Sequence, residues 1–227
     1  MLDNFTNEVN SLKSWHERAK EIVIKAESMD SLNKSYIQPL HELRYSLDHF
    51  MRALEYDENP KKKEKTKKSI QSAISHLQRA YSDSIEWMLV NVKEEYTLTL
   101  SCYTNEVIQG TFPEYYTEIR PNLEKITQII NDYKIIKSVE EATESSADSL
   151  PDNQMAAIQE TANQFFSEKI AGKLEQYLQT LHLRESSLIE ANEKEQKVST
   201  RDKIIIPIIT AAAGAILATL ITTFILL

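Results

Sequence analysis

The side chains that could carry chemistry are concentrated in one stretch, residues 40–50, with the sequence LHELRYSLDHF. Its ionisable side chains are, in chain order, His41, Glu42, Arg44, Tyr45, Asp48 and His49. Imidazole and carboxylate groups are common metal ligands, but the stretch contains neither a His-x-x-x-His nor a Glu-x-x-His pair. With three glycines and one cysteine in the whole chain, a phosphate-binding loop and a cysteine-based zinc cluster are not expected either. We therefore expect no metal site and no cofactor.

Two of these residues, Arg44 and His49, differ in direction on a helix. Residues five positions apart are rotated by about 140° around the helix axis, so the two side chains do not converge within one chain. His49 then lies opposite the leucines of the stretch, whereas Arg44 borders them. One interpretation is that Arg44 pairs with a carboxylate at the edge of a helical bundle and that His49 is exposed.

The pattern L-H-x-L-R-x-x-L-D-H, from Leu40 to His49, resembles a helix found in small bacterial relatives of the HEPN superfamily. These are helical domains common in prokaryotic antiviral and toxin systems, and the resemblance implies an up-and-down helical bundle. Active members are metal-independent ribonucleases that use an Arg and a His a few residues apart, usually across a dimer cleft. The resemblance thus implies Arg44 and His49 as candidate catalytic residues. Tyr45, however, stands where the family usually has a small polar residue.

A basic run lies between the second and third predicted helices. Its six lysines are Lys61, Lys62, Lys63, Lys65, Lys67 and Lys68. Each lysine near an anionic leaflet contributes about 1 kcal/mol, so the run is a candidate contact for lipid headgroups, and also for RNA or a nucleotide. The alternative is a solvated loop, partly neutralised by Asp57, Glu58 and Glu64.

Apolar residues at three- and four-residue spacing predict four helices within residues 1–147. The first spans 3–29, the second runs from Pro39 to the residues before Pro60, the third reaches about residue 109, and the fourth spans 120–147. The second carries a leucine-rich stripe at coiled-coil spacing, which predicts packing against neighbouring helices: Leu40, Leu43, Leu47, Phe50 and Leu54. Residues 145–151 are small and polar, as is typical of a linker.

A further long helix is predicted over residues 152–199. Its apolar face thins out after Ile189, and residues 190–201 are charged on nearly every side, which indicates a solvated stalk or a frayed tether. Pro207 lacks the amide hydrogen that would bond to Lys203, so we expect a kink or break between residues 199 and 207.

The last 24 residues, 204–227, contain no charged residue and no Asn, Gln or His. As a helix they would reach roughly 36 Å, against a hydrocarbon core of about 30 Å, so they are long enough to cross a bilayer. The alternative, a buried core helix, is usually shorter and less uniformly apolar. Basic residues precede the segment and none follows it, which places residues 1–203 in the cytoplasm by the positive-inside rule. The sequence therefore predicts a single-pass tail anchor. In a prokaryote, this anchor would lie in the inner membrane.

Small residues share one side of the predicted anchor. Six of them fall within an arc of about 140° on a helical wheel: Ala211, Gly214, Ala215, Ala218, Thr219 and Thr222. Small side chains let helix backbones approach closely in lipid, and threonine hydroxyls can bond across the contact. This face predicts a homo-oligomer. A monomeric anchor and a threonine-lined pore are the alternatives.

Composition excludes some classes of partner. The net charge of −8, from 26 basic and 34 acidic side chains, disfavours binding to duplex nucleic acid, because the phosphates would be repelled. The lone cysteine, Cys102, excludes an intrachain disulfide and fits a reducing compartment. The N-terminal residues have neither the basic nor the apolar region of a signal peptide, so none is expected.

These features predict an all-α protein made of an up-and-down bundle at 1–147, a long helix or stalk at 148–203 and a transmembrane helix at 204–227. The first functional hypothesis is a membrane-tethered, non-catalytic sensor or effector that acts through oligomerisation at the membrane. The resemblance adds prokaryotic antiviral defence as its context. One alternative is a membrane-bound HEPN-type ribonuclease that uses Arg44 and His49, and another is a tail-anchored adaptor or scaffold. The sequence does not identify the nucleotide or protein signal that such a sensor would receive.

Overall fold

The chain folds into helices throughout the part that the structure describes. The structure, a computed structural model, describes residues 2–31, 36–144, 162, 165, 166 and 168–225, and the side chains of all of these except 3, 139–144, 168 and 198–225. Within that part there are six α-helices and no strand: α1 (Thr6–Ser28), α2 (Gln38–Asp57), α3 (Lys63–Leu100), α4 (Asn105–Thr111), α5 (Arg120–Glu144) and α6 (Glu168–Ile225). Short 3₁₀ turns precede α1 and α3, and a π-helical turn, Tyr115–Ile119, leads into α5. The predicted all-α class is confirmed.

Helix α3 is the centre of the bundle. Its 38 residues span about 57 Å, and between Ala80 and Val92 it is buried on nearly all sides. Helix α2 and the first half of α1 pack along its first half, where Ala73 and Leu77 join Leu12 and Ala53 in one apolar cluster. A second, larger cluster surrounds the other half of α3 and includes side chains of α4, α5 and α6. The second half of α1 continues into this second cluster through Ile22 and Ala26. The bundle is therefore a rod with two cores in series along one helix.

The third predicted helix was too long. We expected it to continue to about residue 109, but α3 ends at Leu100 and a separate short helix, α4, begins at Asn105. The side chain of Thr104 caps this helix, since its hydroxyl oxygen accepts a hydrogen bond from the Val107 amide at 3.2 Å. The turn lets the chain fold back, so that α5 can return along α3.

Helix α6 belongs to the bundle over its first six turns. Ile170, Leu174, Leu181 and Leu188 are buried in the larger core, and the Tyr96 hydroxyl donates a hydrogen bond of 2.8 Å to the Tyr177 carbonyl. The predicted linker at 145–151 and the predicted start of this helix at residue 152 lie outside the described residues. Only after Leu188 does the helix become solvated, with Lys194 paired to Glu190 along its own surface.

The backbone of α6 continues as helix to Ile225. The break expected between residues 199 and 207 is therefore not observed, although Pro207 still removes one backbone hydrogen bond. Among the residues whose side chains are described, no helix combines the length and the hydropathy needed to cross a bilayer. The side chains of the predicted anchor, 204–227, and its small-residue face lie outside that set.

The packing of α6 predicts unequal effects of two neighbouring leucines. Leu181 is 1% exposed and Leu183 is 79% exposed. Leu181→Ala should lower the free energy of unfolding by about 2–5 kcal/mol, because it leaves a cavity in the core, whereas Leu183→Ala should change it by no more than about 0.5 kcal/mol. Urea unfolding of the full chain in nonionic detergent, followed by helical circular dichroism, measures both values. Equal, small effects would contradict the packing of α6 within the bundle.

Candidate functional site on helix α2

Helix α2 buries small and polar side chains against α3, and its leucine stripe joins the core only in part. The side chains that it buries are Pro39, Glu42, Ser46 and Ala53. Three members of the predicted stripe are half-buried and pack against the core, as expected: Leu43, Phe50 and Leu54. The prediction is wrong for Leu40 and Leu47, which are exposed by 44% and 57%. The small side chains of Ser46 and Ala53 let α2 approach α3 closely, and that approach sets the rotation of the helix.

The buried carboxylate of Glu42 has a partner on α3. His76 Nδ1 lies 2.7 Å from Glu42 Oε2, and because an ionised carboxylate only accepts, Nδ1 donates the hydrogen bond. The ring of His49 stacks on that of His76, with their centroids 5.1 Å apart. The centroid of the Tyr45 ring lies 5.5 Å from that of the same His76 ring. Burial, helped by the nearby charges of His76 and Arg52, lowers the pKa of His49, against the opposite effect of Asp48. The contact thus holds a carboxylate–imidazole pair beside a second imidazole whose neutral form is favoured.

The carboxylates of Asp83 and Glu86 continue the polar contact of Glu42 with His76 along α3. We call these four side chains the polar strip. Asp83 follows His76 by seven residues, which is two helical turns and the same face. Burial, together with the charges of Glu42 and Glu86, raises the pKa of Asp83 to about 6, while Lys137 and Lys134 oppose the shift. Glu86 forms an ion pair of 2.6 Å with Lys134 of α5. Within the polar strip, Asp83, with a pKa of about 6, can take up and release a proton in mildly acidic solution.

The two candidate catalytic residues contact different neighbours. His49 is half-buried on His76, whereas Arg44 faces away from α3 and has its guanidinium carbon 5.4 Å from the Tyr45 ring centroid. The expectation that His49 is merely exposed is wrong. The expected ion pair of Arg44 with a carboxylate is not found among the described side chains. The structure does not bring Arg44 and His49 together within one chain, in agreement with their angular separation on the helix.

A groove separates α1 from α2, because both helices pack along α3 and make few contacts with each other. Its volume is about 610 Å³. Its walls and floor are mostly aliphatic or aromatic, with basic side chains at the edge: Val9, Leu12, Lys13 and His16 from α1, Leu43, Arg44, Ser46, Leu47 and Phe50 from α2, and Leu77 from α3. A concave apolar site with a few polar groups, of roughly 300–1,000 Å³, is the usual form of a ligand site.

The basic run lies at the end of the rod opposite to the C-terminal part of α6. Lys61 and Lys62 are in the 3₁₀ turn and the others in the first two turns of α3; Lys62 Nζ is 5.1 Å from the Tyr56 ring centroid. Helix α6 runs parallel to α3, since Tyr177 lies beside Tyr96 and Glu195 bonds Thr104 farther along. From Lys68 to Leu100 the rod extends about 48 Å. A straight α6 that entered a bilayer would therefore hold these lysines far from its headgroups.

In the part of the chain with described side chains, no group of three His, Cys, Asp or Glu residues could hold a metal ion. Sequence reasoning missed the pairing of His76 with Glu42 and the role of Asp83. The seven-residue spacing of His76 and Asp83 predicts that both lie on one face of a helix. The sequence does not indicate that α2 is the helix that packs against this face.

No protein-family model, no curated protein and no solved structure matches the chain. The resemblance to the HEPN superfamily therefore stays a prediction, and the site has to be interpreted from its own geometry.

Asp83 predicts a pH-dependent stability. An acid whose pKa is raised to about 6 in the folded state costs free energy when it ionises, so its contribution to stability falls between about pH 4 and 6 and stays low above pH 6. Asp83→Asn removes this cost. The free energy of unfolding of the variant, measured relative to that of the wild type, should be about 1–2 kcal/mol higher at pH 7.5 than at pH 4.5. This value is reduced for the partial exposure of Asp83 to solvent.

Urea titrations of both proteins at the two pH values measure this gain. Glu17→Gln, on the exposed side of α1, is the control for removal of a carboxylate. A difference between Asp83→Asn and wild type that is the same at both pH values would contradict the assignment.

Proposed function

We propose that the chain is a membrane-tethered, non-catalytic sensor or effector that acts when copies of its helical bundle associate at the membrane surface. The observation that carries the proposal is the exposed apolar face of α2. Leu40, Leu47 and Met51 of α2 are all exposed, and they lie within about 40° of one another around the helix axis. Such clustering on one short segment marks an interaction surface, whereas scattered exposed residues do not.

A second copy of the chain is the occupant that fits this face best. Copies anchored in one bilayer in the same direction hold the same face at the same height. A two-fold axis along the membrane normal would then pair α2 with α2 of the neighbour in parallel, leucine against leucine. Leu40 and Leu47 are seven residues apart, the repeat of a coiled-coil contact. Tethering also raises the effective concentration, so a modest surface is sufficient.

The predicted anchor supplies the other half of the proposal. Its 24 uncharged residues are long enough to span a bilayer, and its small-residue face can bring helices together. The backbone of α6 is helical from the core of the bundle to Ile225, so a change in bundle packing has a direct route toward the anchor. The context of prokaryotic antiviral defence rests on the HEPN resemblance alone.

The two alternative functions, a ribonuclease and an adaptor, make different demands on helix α2. A ribonuclease would need Arg44 and His49 to meet across a dimer, because within one chain they contact different neighbours. An adaptor would use the same α2 face for another protein. The association experiment below separates the adaptor from self-association.

Charge placed on the α2 face should weaken self-association. Leu40 and Met51 are exposed on this face but do not line the α1–α2 groove. The double variant Leu40→Glu, Met51→Glu should weaken association about tenfold or more, because carboxylates would lose solvent and repel one another in the contact. Energy transfer between copies labelled at Cys102, the only cysteine and an exposed one, measures association in lipid vesicles.

Leu183→Glu combined with Ile189→Glu is the matched control, since it places the same two charges on exposed apolar residues of α6. Energy transfer that is unchanged in the double variant, or lost equally in the control, would rule out this face. Energy transfer that appears only after a second protein is added would favour the adaptor.

The anchor predicts an effect of one glycine on membrane integrity. Overexpressed wild type should pellet with membranes and dissipate the membrane potential, and Gly214→Leu should relieve the dissipation because a large side chain separates the helices. A potential-sensitive dye in expressing cells measures the effect. Ile216→Leu, on the opposite side of the predicted helix, is the volume-conserving control. Undiminished depolarisation in Gly214→Leu would count against the anchor contact.

A further inference from the structure

The groove between α1 and α2 has an apolar lining and the volume of a small-molecule site. Its volume of about 610 Å³ lies within the usual range for ligand sites. Leu12, Leu43, Phe50 and Leu77 provide aliphatic and aromatic surface along it. The lining and the volume fit the hydrocarbon chain of a small amphiphile.

Basic groups are placed at the edge of this apolar groove. Lys13 and His16 extend from α1 and Arg44 from α2, all three on exposed positions that line the groove. Among the described side chains, neither Lys13 nor Arg44 forms an ion pair, although the chain carries an excess of acidic residues. Arginine and lysine without internal carboxylates can bind an external carboxylate or phosphate through charge-assisted hydrogen bonds.

The distance from the predicted bilayer limits the source of the ligand. The floor residue Leu77 lies 23 residues before the end of α3, or about 35 Å along the rod from Leu100. That end of α3 is the one beside which α6 continues toward its C-terminus. A lipid that stays in the bilayer could not reach the groove, whereas a ligand that diffuses in water could.

We propose that this groove binds a free single-chain anionic amphiphile, such as a long-chain fatty acid. The chain would lie on Leu12, Leu43, Phe50 and Leu77, and the carboxylate would be held by Arg44 and Lys13 at the edge. Burying the hydrocarbon supplies most of the affinity, and the basic side chains select for an anionic head. The choice of a free ligand over a bilayer lipid rests on the predicted anchor of the proposed function, whereas the groove itself needs neither the anchor nor self-association.

A photoreactive fatty acid tests this site. The full chain is placed in nanodiscs of neutral lipid, irradiated with the probe at increasing concentration, digested, and mapped by mass spectrometry. Saturable labelling of residues 9–16 and 43–50 is expected. Lys13→Gln combined with Arg44→Gln should reduce this labelling about tenfold or more, because the carboxylate loses both of its charge-assisted contacts. The fatty alcohol of equal chain length should label the groove as weakly as this variant does.

Two controls make the outcome decisive. Lys20→Gln combined with Arg52→Gln removes the same charges from exposed positions of the same helices that do not line the groove, and should leave labelling unchanged. A photoreactive phosphatidylglycerol within the nanodisc should label the bundle groove in neither protein. The proposal is overturned if the fatty acid labels only residues 204–227, if the groove variant labels as strongly as wild type, or if the bilayer lipid labels the groove.

Discussion

The burial of α3 is the constraint on which the rest of the structure depends. From Ala80 to Val92 this helix is buried on nearly all sides, so neighbouring helices have to surround it. Helix α3 has 38 residues, whereas α1 and α2 have 23 and 20, so neither of these two helices can cover its whole length. The chain divides the coverage: α2 covers the first half, α4, α5 and α6 cover the second, and α1 packs along both. Everything functional is then arranged along this axis.

The contact of α2 with α3 shows how a polar interaction can determine what a surface does. The buried Glu42 needs a hydrogen-bond donor, and His76 supplies it. Once this pair and the small residues Ser46 and Ala53 lie against α3, the rotation of α2 is determined and its leucine stripe reaches the core only at one edge. Leu43, Leu47 and Phe50 line the groove beside α1, whereas Leu40 is exposed outside it. The proposed ligand site and the proposed self-association surface thus arise from the same rotation.

The parallel direction of α3 and α6 gives the rod two different ends. Near Thr104 and Glu195 the solvated part of α6 leaves the bundle, and this is the end from which the predicted anchor would reach a bilayer. The basic run, the groove and the exposed face of α2 all belong to the other half of the rod. In the proposed function, a signal received there would travel along packed helices to the predicted anchor, and α6 belongs to both the larger core and the route to the C-terminus.

The sequence alone determined the helical class, the approximate position of five helices and the apolar character of residues 204–227, because periodicity and hydropathy are properties of neighbouring residues. It did not determine that α3 ends at Leu100, where the local cap at Thr104 outweighs a continuing apolar pattern. Nor could it pair Glu42 with His76 or leave Leu47 exposed. Those outcomes depend on which neighbour approaches which face, and a helix with two plausible faces is rotated by its tertiary contacts and not by its own sequence.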